Sequence, residues 1–181
     1  MSNLAVWALV FGVLKGIGGV WMLRWPASAR AALQAFPRSV WPGRIMAVGA
    51  FAWAAWLIHG MPMSEAFAQY KGLIWLLCPA LILLVWFFME EFLSVRALGG
   101  LLLLLPSAVL AAARWHPSSW RHVMSLSAYL AVFAGMALIL MPYMFRKMVA
   151  LFFDNDQRAR MAGVAGCVAG AAFLGLAFLV Y

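Results

Sequence analysis

The hydrophobic and polar positions of this chain fall into long separate blocks. Six stretches with little charge are each long enough to form a membrane helix, and the charged residues cluster between them. A helix rises 1.5 Å per residue, so about 20 apolar residues cross about 30 Å of hydrocarbon. The predicted transmembrane helices are residues 4–23, 42–58, 73–89, 97–113, 123–145 and 161–181.

The pattern predicts an all-α fold. We expect a polytopic transmembrane helical bundle in which six helices form three hairpins within a single integral membrane domain, residues 1–181. The loops are too short to hold a soluble domain, and helices satisfy their own backbone polar groups in lipid. In the sequence 67% of residues are hydrophobic and 10% are charged. This composition excludes an ordinary water-soluble domain, because a core of this size could not bury so much apolar surface.

The first hydrophobic stretch is predicted to be a retained helix. The sequence Ala27-Ser28-Ala29 resembles the small-residue cleavage site of a signal peptide. A signal peptide carries positive charge before its apolar region, whereas here Arg24 follows that region.

The two long connectors are predicted to contain short helices at the membrane surface. Residues 26–36 mix apolar and polar positions between Pro26 and Pro37, and residues 148–153 repeat this pattern. Asp154 and Asp156 are then expected to cap the start of the last helix. A metal site at this acidic pair is the weaker alternative, because carboxylate sites recruit further oxygen ligands.

The distribution of basic residues predicts the orientation. Nine of them lie in or beside the loops after the first, third and fifth stretches, namely Arg24, Arg30, Arg38, Arg44, Arg96, Arg146, Lys147, Arg158 and Arg160. Lys71, Arg114 and Arg121 lie on the other side. Because basic residues stay in the cytoplasm, we expect a bacterial inner-membrane protein with both termini outside and the charged hairpin tips inside.

The net charge of +8 is explained by the same bias and by attraction to anionic lipid headgroups. Nucleic acid is therefore not expected as a partner. The predicted headgroup-binding residues are Arg24, Arg30, Arg38, Arg44, Arg146 and Lys147.

Glycines predict how the helices pack. In the first stretch Gly12, Gly16 and Gly19 share one face, and in the last stretch Gly163, Gly166 and Gly170 do the same. Small residues let helix backbones approach closely in lipid, so these faces should contact each other or another protein. A leucine at Gly16 or Gly166 is expected to weaken the fold or an assembly.

Lys15 lies deep within a hydrophobic stretch, about 12 Å from the cytoplasmic end of its helix. An unpaired lysine at this depth costs a few kcal/mol. The side chain either extends to the inner headgroups or pairs with a carboxylate. Glu90 and Glu91 are the best candidates within the chain, and a partner subunit is the other source.

Three histidines lie at the predicted outer ends of helices: His59, His116 and His122. Together with Met61 and Met63 they form a candidate metal site, since imidazole and thioether ligands suit Cu(I) and imidazole suits Zn. Histidine is common at helix ends, so the favoured interpretation is structural. No cofactor other than lipid is expected, and Cys78 and Cys167 are expected to be free thiols because they lie at opposite depths.

No catalytic motif stands out, which favours a non-enzymatic role. We expect an accessory or scaffolding subunit of a bacterial inner-membrane complex, with lipids and other integral membrane subunits as partners. The alternative is a small transporter or channel with a path near Lys15 and Glu90. A membrane enzyme or metal-handling protein that uses the outer histidines is a weaker alternative.

The predicted orientation is tested by cysteine labelling from outside the cell. A cysteine placed beside Glu65 or Ser118 should react with an impermeant reagent, and one placed beside Ser39 should not, because the positive loops stay inside. The reverse labelling pattern would show that the orientation is inverted.

Overall fold

A computed structural model describes residues 2–62, 70–88 and 92–181 of the chain. All regular structure in these residues is helical. The helices are α1 (Asn3–Arg24), α2 (Pro26–Ala35), α3 (Val40–Gly60), α4 (Lys71–Phe88), α5 (Leu93–Arg114), α6 (Arg121–Leu140), α7 (Tyr143–Phe152) and α8 (Asp156–Leu179), with a 3-10 turn at Phe36–Arg38.

Five helices within the described residues are long and apolar enough to cross a membrane, as in a multi-pass membrane protein. They are α1, α4, α5, α6 and α8. The helix α3 has a similar length, 21 residues, but is not one of the five. Its first turns contain Trp41, Pro42, Gly43 and Arg44, which lower its mean hydropathy.

The predicted end of the fifth stretch is wrong. Residues 123–145 do not form one helix, because α6 ends at Leu140 and a new helix, α7, begins at Tyr143. Pro142 lies between them, and proline lacks a backbone N–H and clashes with the preceding turn of a helix. Residues 143–145 therefore belong to the separate amphipathic helix α7 and not to α6.

The two predicted surface helices, α2 and α7, lie next to each other at one end of the bundle. The rings of Phe36 and Phe145 are 5.5 Å apart between centroids. Arg30 joins this end to α8, because its Nη1 atom lies 3.2 Å from Oδ1 of Asp156 and donates a hydrogen bond to the backbone oxygen of Asp154 at 3.1 Å. The connector between α1 and α3 and the connector between α6 and α8 thus form one basic surface, whereas the predicted pairing of successive helices into three hairpins is not confirmed.

The capping of α8 differs from the prediction. Asn155, and not the acidic pair, is the N-cap residue, and its side-chain oxygen accepts a hydrogen bond from the backbone N–H of Arg158 at 3.0 Å. An uncharged amide serves this role as well as a carboxylate does. Asp156 instead lies in the first turn, where its charge still favours the helix dipole.

The first and last helices, α1 and α8, run antiparallel and form the most extensive helix contact in the described residues. Their backbones touch through glycine. A Cβ atom placed at Gly19 would lie 2.6 Å from the backbone nitrogen of Cys167, and one placed at Gly170 would lie 2.8 Å from that of Gly16. Neither position has space for a side chain.

The other glycines of the two faces occupy different positions in this contact. Side chains at Gly12 and Gly163 would collide with Leu174 and with the backbone of Gly19, while a Cβ atom at Gly166 would lie 3.2 Å from Cα of Gly19. A Cβ atom at Gly16 would meet nothing within 4 Å, because Gly16 contributes only its backbone. This geometry does not support the expectation that a leucine at Gly16 displaces a neighbouring helix.

A second glycine contact joins α5 and α6. A Cβ atom at Gly99 would lie 2.9 Å from the backbone oxygen of Gly135, and one at Gly135 would lie 2.8 Å from that of Gly99. Gly135 was not singled out from the sequence because it stands alone in its stretch. Its packing role becomes visible only when its partner helix is known.

The helices α3 and α4 lie beside this core. α3 runs parallel to α5, and the Gly43 backbone lies against Ser94, where a Cβ atom would be 2.7 Å from the Ser94 nitrogen. α4 packs mainly on α3, and none of its residues is buried. The buried core of the described residues centres instead on α1, α5, α6 and α8, around Leu4, Val109, Met124 and Phe173.

The glycine contact between α1 and α8 predicts a clear difference between neighbouring glycines. Gly19→Ala and Gly170→Ala should each lower the free energy of unfolding by about 1–3 kcal/mol, because the added methyl group has no space. Gly16→Ala and Gly18→Ala are matched controls in α1, since their Cβ positions are open. Unfolding in mixed micelles measures the effect, and equal stability of all four variants would contradict the packing.

Candidate functional sites

Lys15 lies on the exposed surface of α1. Its Nζ atom is 5.9 Å from the centroid of the Phe173 ring, within the range of a weak cation–π contact. In the part of the chain that the structure describes, no carboxylate forms an ion pair with Lys15. Glu90 and Glu91 lie outside the described residues, so the pairing predicted from the sequence stays a prediction.

Two of the three histidines lie against aromatic rings. The His59 ring is 5.7 Å from that of Trp75, and the His116 ring is 5.2 Å from that of Tyr181. His122 lines an open cleft between α5 and α6. Residues 2–62, 70–88 and 92–181 contain no group of three His, Cys, Asp or Glu side chains arranged to hold a metal ion.

The structure describes one of the two methionines in the predicted metal site. Met61 is the C-cap residue that follows α3, and its backbone oxygen accepts a hydrogen bond from Nζ of Lys71 at 2.8 Å. Met63 lies outside the described residues. The thioether ligand set stays a prediction.

Arg44 joins the start of α3 to the end of α4. Its guanidinium carbon lies 5.9 Å from the Trp41 ring centroid and 4.9 Å from that of Trp86. Its Nη2 atom also donates a hydrogen bond to the backbone oxygen of Trp86 at 3.4 Å. Trp41 and Trp86 meet edge to face, so Arg44 completes a cation–aromatic cluster between two helices. The spacing of Trp41 and Arg44, one helical turn, is the signal in the sequence.

Four further basic residues lie on or near the surface formed by α2 and α7. Arg38 and Arg146, one from each connector, line a shallow cavity of about 330 Å³. Arg24 is exposed at the end of α1, and Nζ of Lys147 lies 5.1 Å from the Tyr143 ring centroid. Two arginines beside one cavity suit a headgroup phosphate, because guanidinium groups bind phosphate oxygens in pairs.

The interior of the bundle is nearly free of polar side chains. Across the described residues, Ser94 is the one buried polar or charged side chain. Its hydroxyl donates a hydrogen bond to the backbone oxygen of Ser39, and the Ser39 hydroxyl donates to that of Phe36 at 2.6 Å. Ser94 thus joins the starts of α3 and α5.

The two chain termini meet at the end of the bundle opposite α2 and α7. The Ser2 hydroxyl donates to the backbone oxygen of Tyr181 at 3.1 Å, and the Tyr181 hydroxyl donates to that of Trp120 at 2.6 Å. Burial raises the pKa of Tyr181, because the phenolate loses hydration there. The Tyr181 hydroxyl therefore stays protonated, and can donate this hydrogen bond, to higher pH than an ordinary tyrosine.

The Tyr181 hydrogen bond predicts a pH-dependent contribution to stability. Tyr181→Phe should lower the free energy of unfolding by about 0.5–1.5 kcal/mol, the net value of one hydrogen bond. Since the pKa is raised in the folded state, the contribution is complete below about pH 10 and is lost as the pH rises further. Unfolding at pH 8 and pH 11 measures it, with Tyr129→Phe as the exposed control. A variant equal to the native chain at pH 8 would contradict the bond.

Comparisons with protein-family models, curated proteins and solved structures find no match for this chain. Its function must therefore be argued from the geometry of these sites.

Proposed function

We propose that the chain is an accessory or scaffolding subunit of a bacterial inner-membrane complex, built from six membrane-crossing helices with both termini outside. The observation that supports this most is the apolar interior. A transporter or channel requires polar groups along its path, and polar side chains inside membrane proteins usually mark such paths. Ser94 is the single buried polar side chain among the described residues, and its hydroxyl forms a hydrogen bond that joins two helices.

The course of the helices supports the proposed orientation. α2 and α7 lie at one end and the two termini at the other, so the basic connectors share one side of the bundle. Positive charge on one side is typical of the cytoplasmic face. In this arrangement α3 is the sixth crossing, because it runs parallel to α5 with a similar length.

The helix α4 is the best candidate for the surface that contacts a partner. It has no buried residue, and large side chains such as Leu76 and Phe87 are about seven-tenths exposed. Aromatic and leucine side chains pack well against a second membrane helix by dispersion. The glycine faces of α1 and α8 are not available for this purpose, because each is covered by the other.

The transporter alternative requires a different role for Lys15. A pathway residue would face other polar groups across the bundle, whereas Lys15 is exposed and lies over Phe173. A structural cation near the lipid surface is the simpler interpretation, because the lysine stem can extend towards the headgroups. An enzyme that uses the outer histidines has less support, since His59 and His116 lie against separate aromatic rings and His122 lines a different cleft.

The proposed partner surface is tested by photocrosslinking in intact cells. A photoreactive residue at Leu76 or Leu84 of α4 should give one discrete adduct with another membrane protein. The same residue at Leu14 of α1 or Leu130 of α6, which are similarly exposed, should give only lipid adducts. Leu76→Trp should then reduce the amount of this partner recovered by native purification, and Leu14→Trp should not.

Two outcomes would overturn the proposal. Equal protein adducts from all four positions would show that α4 is not a specific surface. Substrate flux by the purified chain in liposomes, with no protein adduct at α4, would favour the transporter.

A further inference from the structure

An apolar groove runs beside the contact between α3 and α5. It has a volume of about 410 Å³, and residues of α3, α4, α5 and α6 line it. The side chains facing it are small along much of its length, including Ala50 and Ala54 of α3 and Ala97 and Gly100 of α5. Arg96 is the one charged residue in its lining.

The dimensions of the groove match one hydrocarbon chain. Its lining extends along α5 from Leu93 to Leu104, a distance of about 16 Å at 1.5 Å per residue. This is about half of the 30 Å hydrocarbon thickness, or one leaflet. The groove is open beside Gly100, where a Cβ atom would meet only the Cβ atom of Ala50 at 3.9 Å.

Arg96 supplies the charge that selects the headgroup. The residue lies in the first turn of α5, at the end of the bundle where Ser94 meets Ser39. Its side chain is half-buried, and it forms no hydrogen bond, ion pair or cation–π contact with the rest of the described chain. A partly buried cation is stabilised by an anion, and guanidinium fits phosphate through two parallel hydrogen bonds.

We propose that this groove is a binding site for an anionic phospholipid, with one acyl chain along α3 and α5 and the phosphate at Arg96. The apolar lining favours a hydrocarbon chain, and the arginine favours a negatively charged headgroup over a zwitterionic one. The lipid comes from the leaflet on the side of α2 and α7. The site stands independently of the proposed scaffolding role, because it uses no surface of α4 beyond Val85.

Native mass spectrometry of the full chain in detergent tests this site. With phosphatidylglycerol and phosphatidylcholine of identical acyl chains, the chain should retain one phosphatidylglycerol and bind it at least tenfold more tightly. Arg96→Gln should reduce this preference to less than threefold. The matched control Arg160→Gln removes an exposed arginine that does not line the groove, and it should leave the preference unchanged.

A second pair of variants tests the hydrocarbon part of the site. Gly100→Leu places a side chain in the groove and should weaken the binding of both lipids at least tenfold. Gly49→Leu adds the same side chain to α3 where the space is open and should not weaken it. Thermal melting without added lipid shows whether each variant is folded, and Arg96→Lys, which keeps the charge, should bind with intermediate affinity if Arg96→Gln does not fold.

Three results would overturn the proposal. Equal binding of the two lipids by the native chain, or an unchanged preference in Arg96→Gln, would exclude the headgroup contact. Native binding by Gly100→Leu would exclude the groove as the place of the acyl chain. Displacement of the bound lipid by an equimolar amount of palmitate would show that the site binds a free fatty acid instead.

Discussion

The close approach of α1 and α8 is the contact on which the rest of the bundle depends. Water does not drive apolar helices together inside lipid, so association depends on dispersion between surfaces that fit. Glycine at Gly19 and Gly170 removes the side chains that would hold the two backbones apart. Because these are the first and last helices, their contact also brings Ser2 to Tyr181 at one end and Arg30 to Asp156 at the other.

The other long helices are positioned by their contacts with α1 and α8 or with each other. α5 and α6 pack against α1 and α8 and complete the buried core. Their own backbones also approach closely through a pair of glycines, Gly99 and Gly135. α3 is attached to this core through Gly43 against Ser94 of α5, and α4 is attached to α3 through Arg44 against Trp86. The chain thus combines a closely packed core with a peripheral helix, α4, whose apolar surface is free for lipid or protein.

The sequence predicts those features that depend on local pattern. The hydrophobic stretches, the surface helix after Pro26 and the glycine faces all follow from residue spacing, and helices occur at each of these places. The helix break at Pro142 could also be predicted from the sequence. The apolar residues on both sides of Pro142, however, favour a single continuous span. The partners of Gly135 and Ser94 were not predictable, because each is defined by a helix distant in sequence. The groove follows from the same long-range arrangement.

Arg44 and Arg96 show why a count of charges predicts orientation but not role. Both lie in the first turns of helices at the basic end, and the positive-inside rule treats them alike. The neighbours of Arg44 are two tryptophan rings, so its charge serves the packing of α3 on α4. Arg96 instead lines an open groove whose other lining residues are all apolar. An arginine surrounded by aromatic rings is a structural contact, whereas an arginine at the end of an apolar groove has the two chemical features of a phospholipid site.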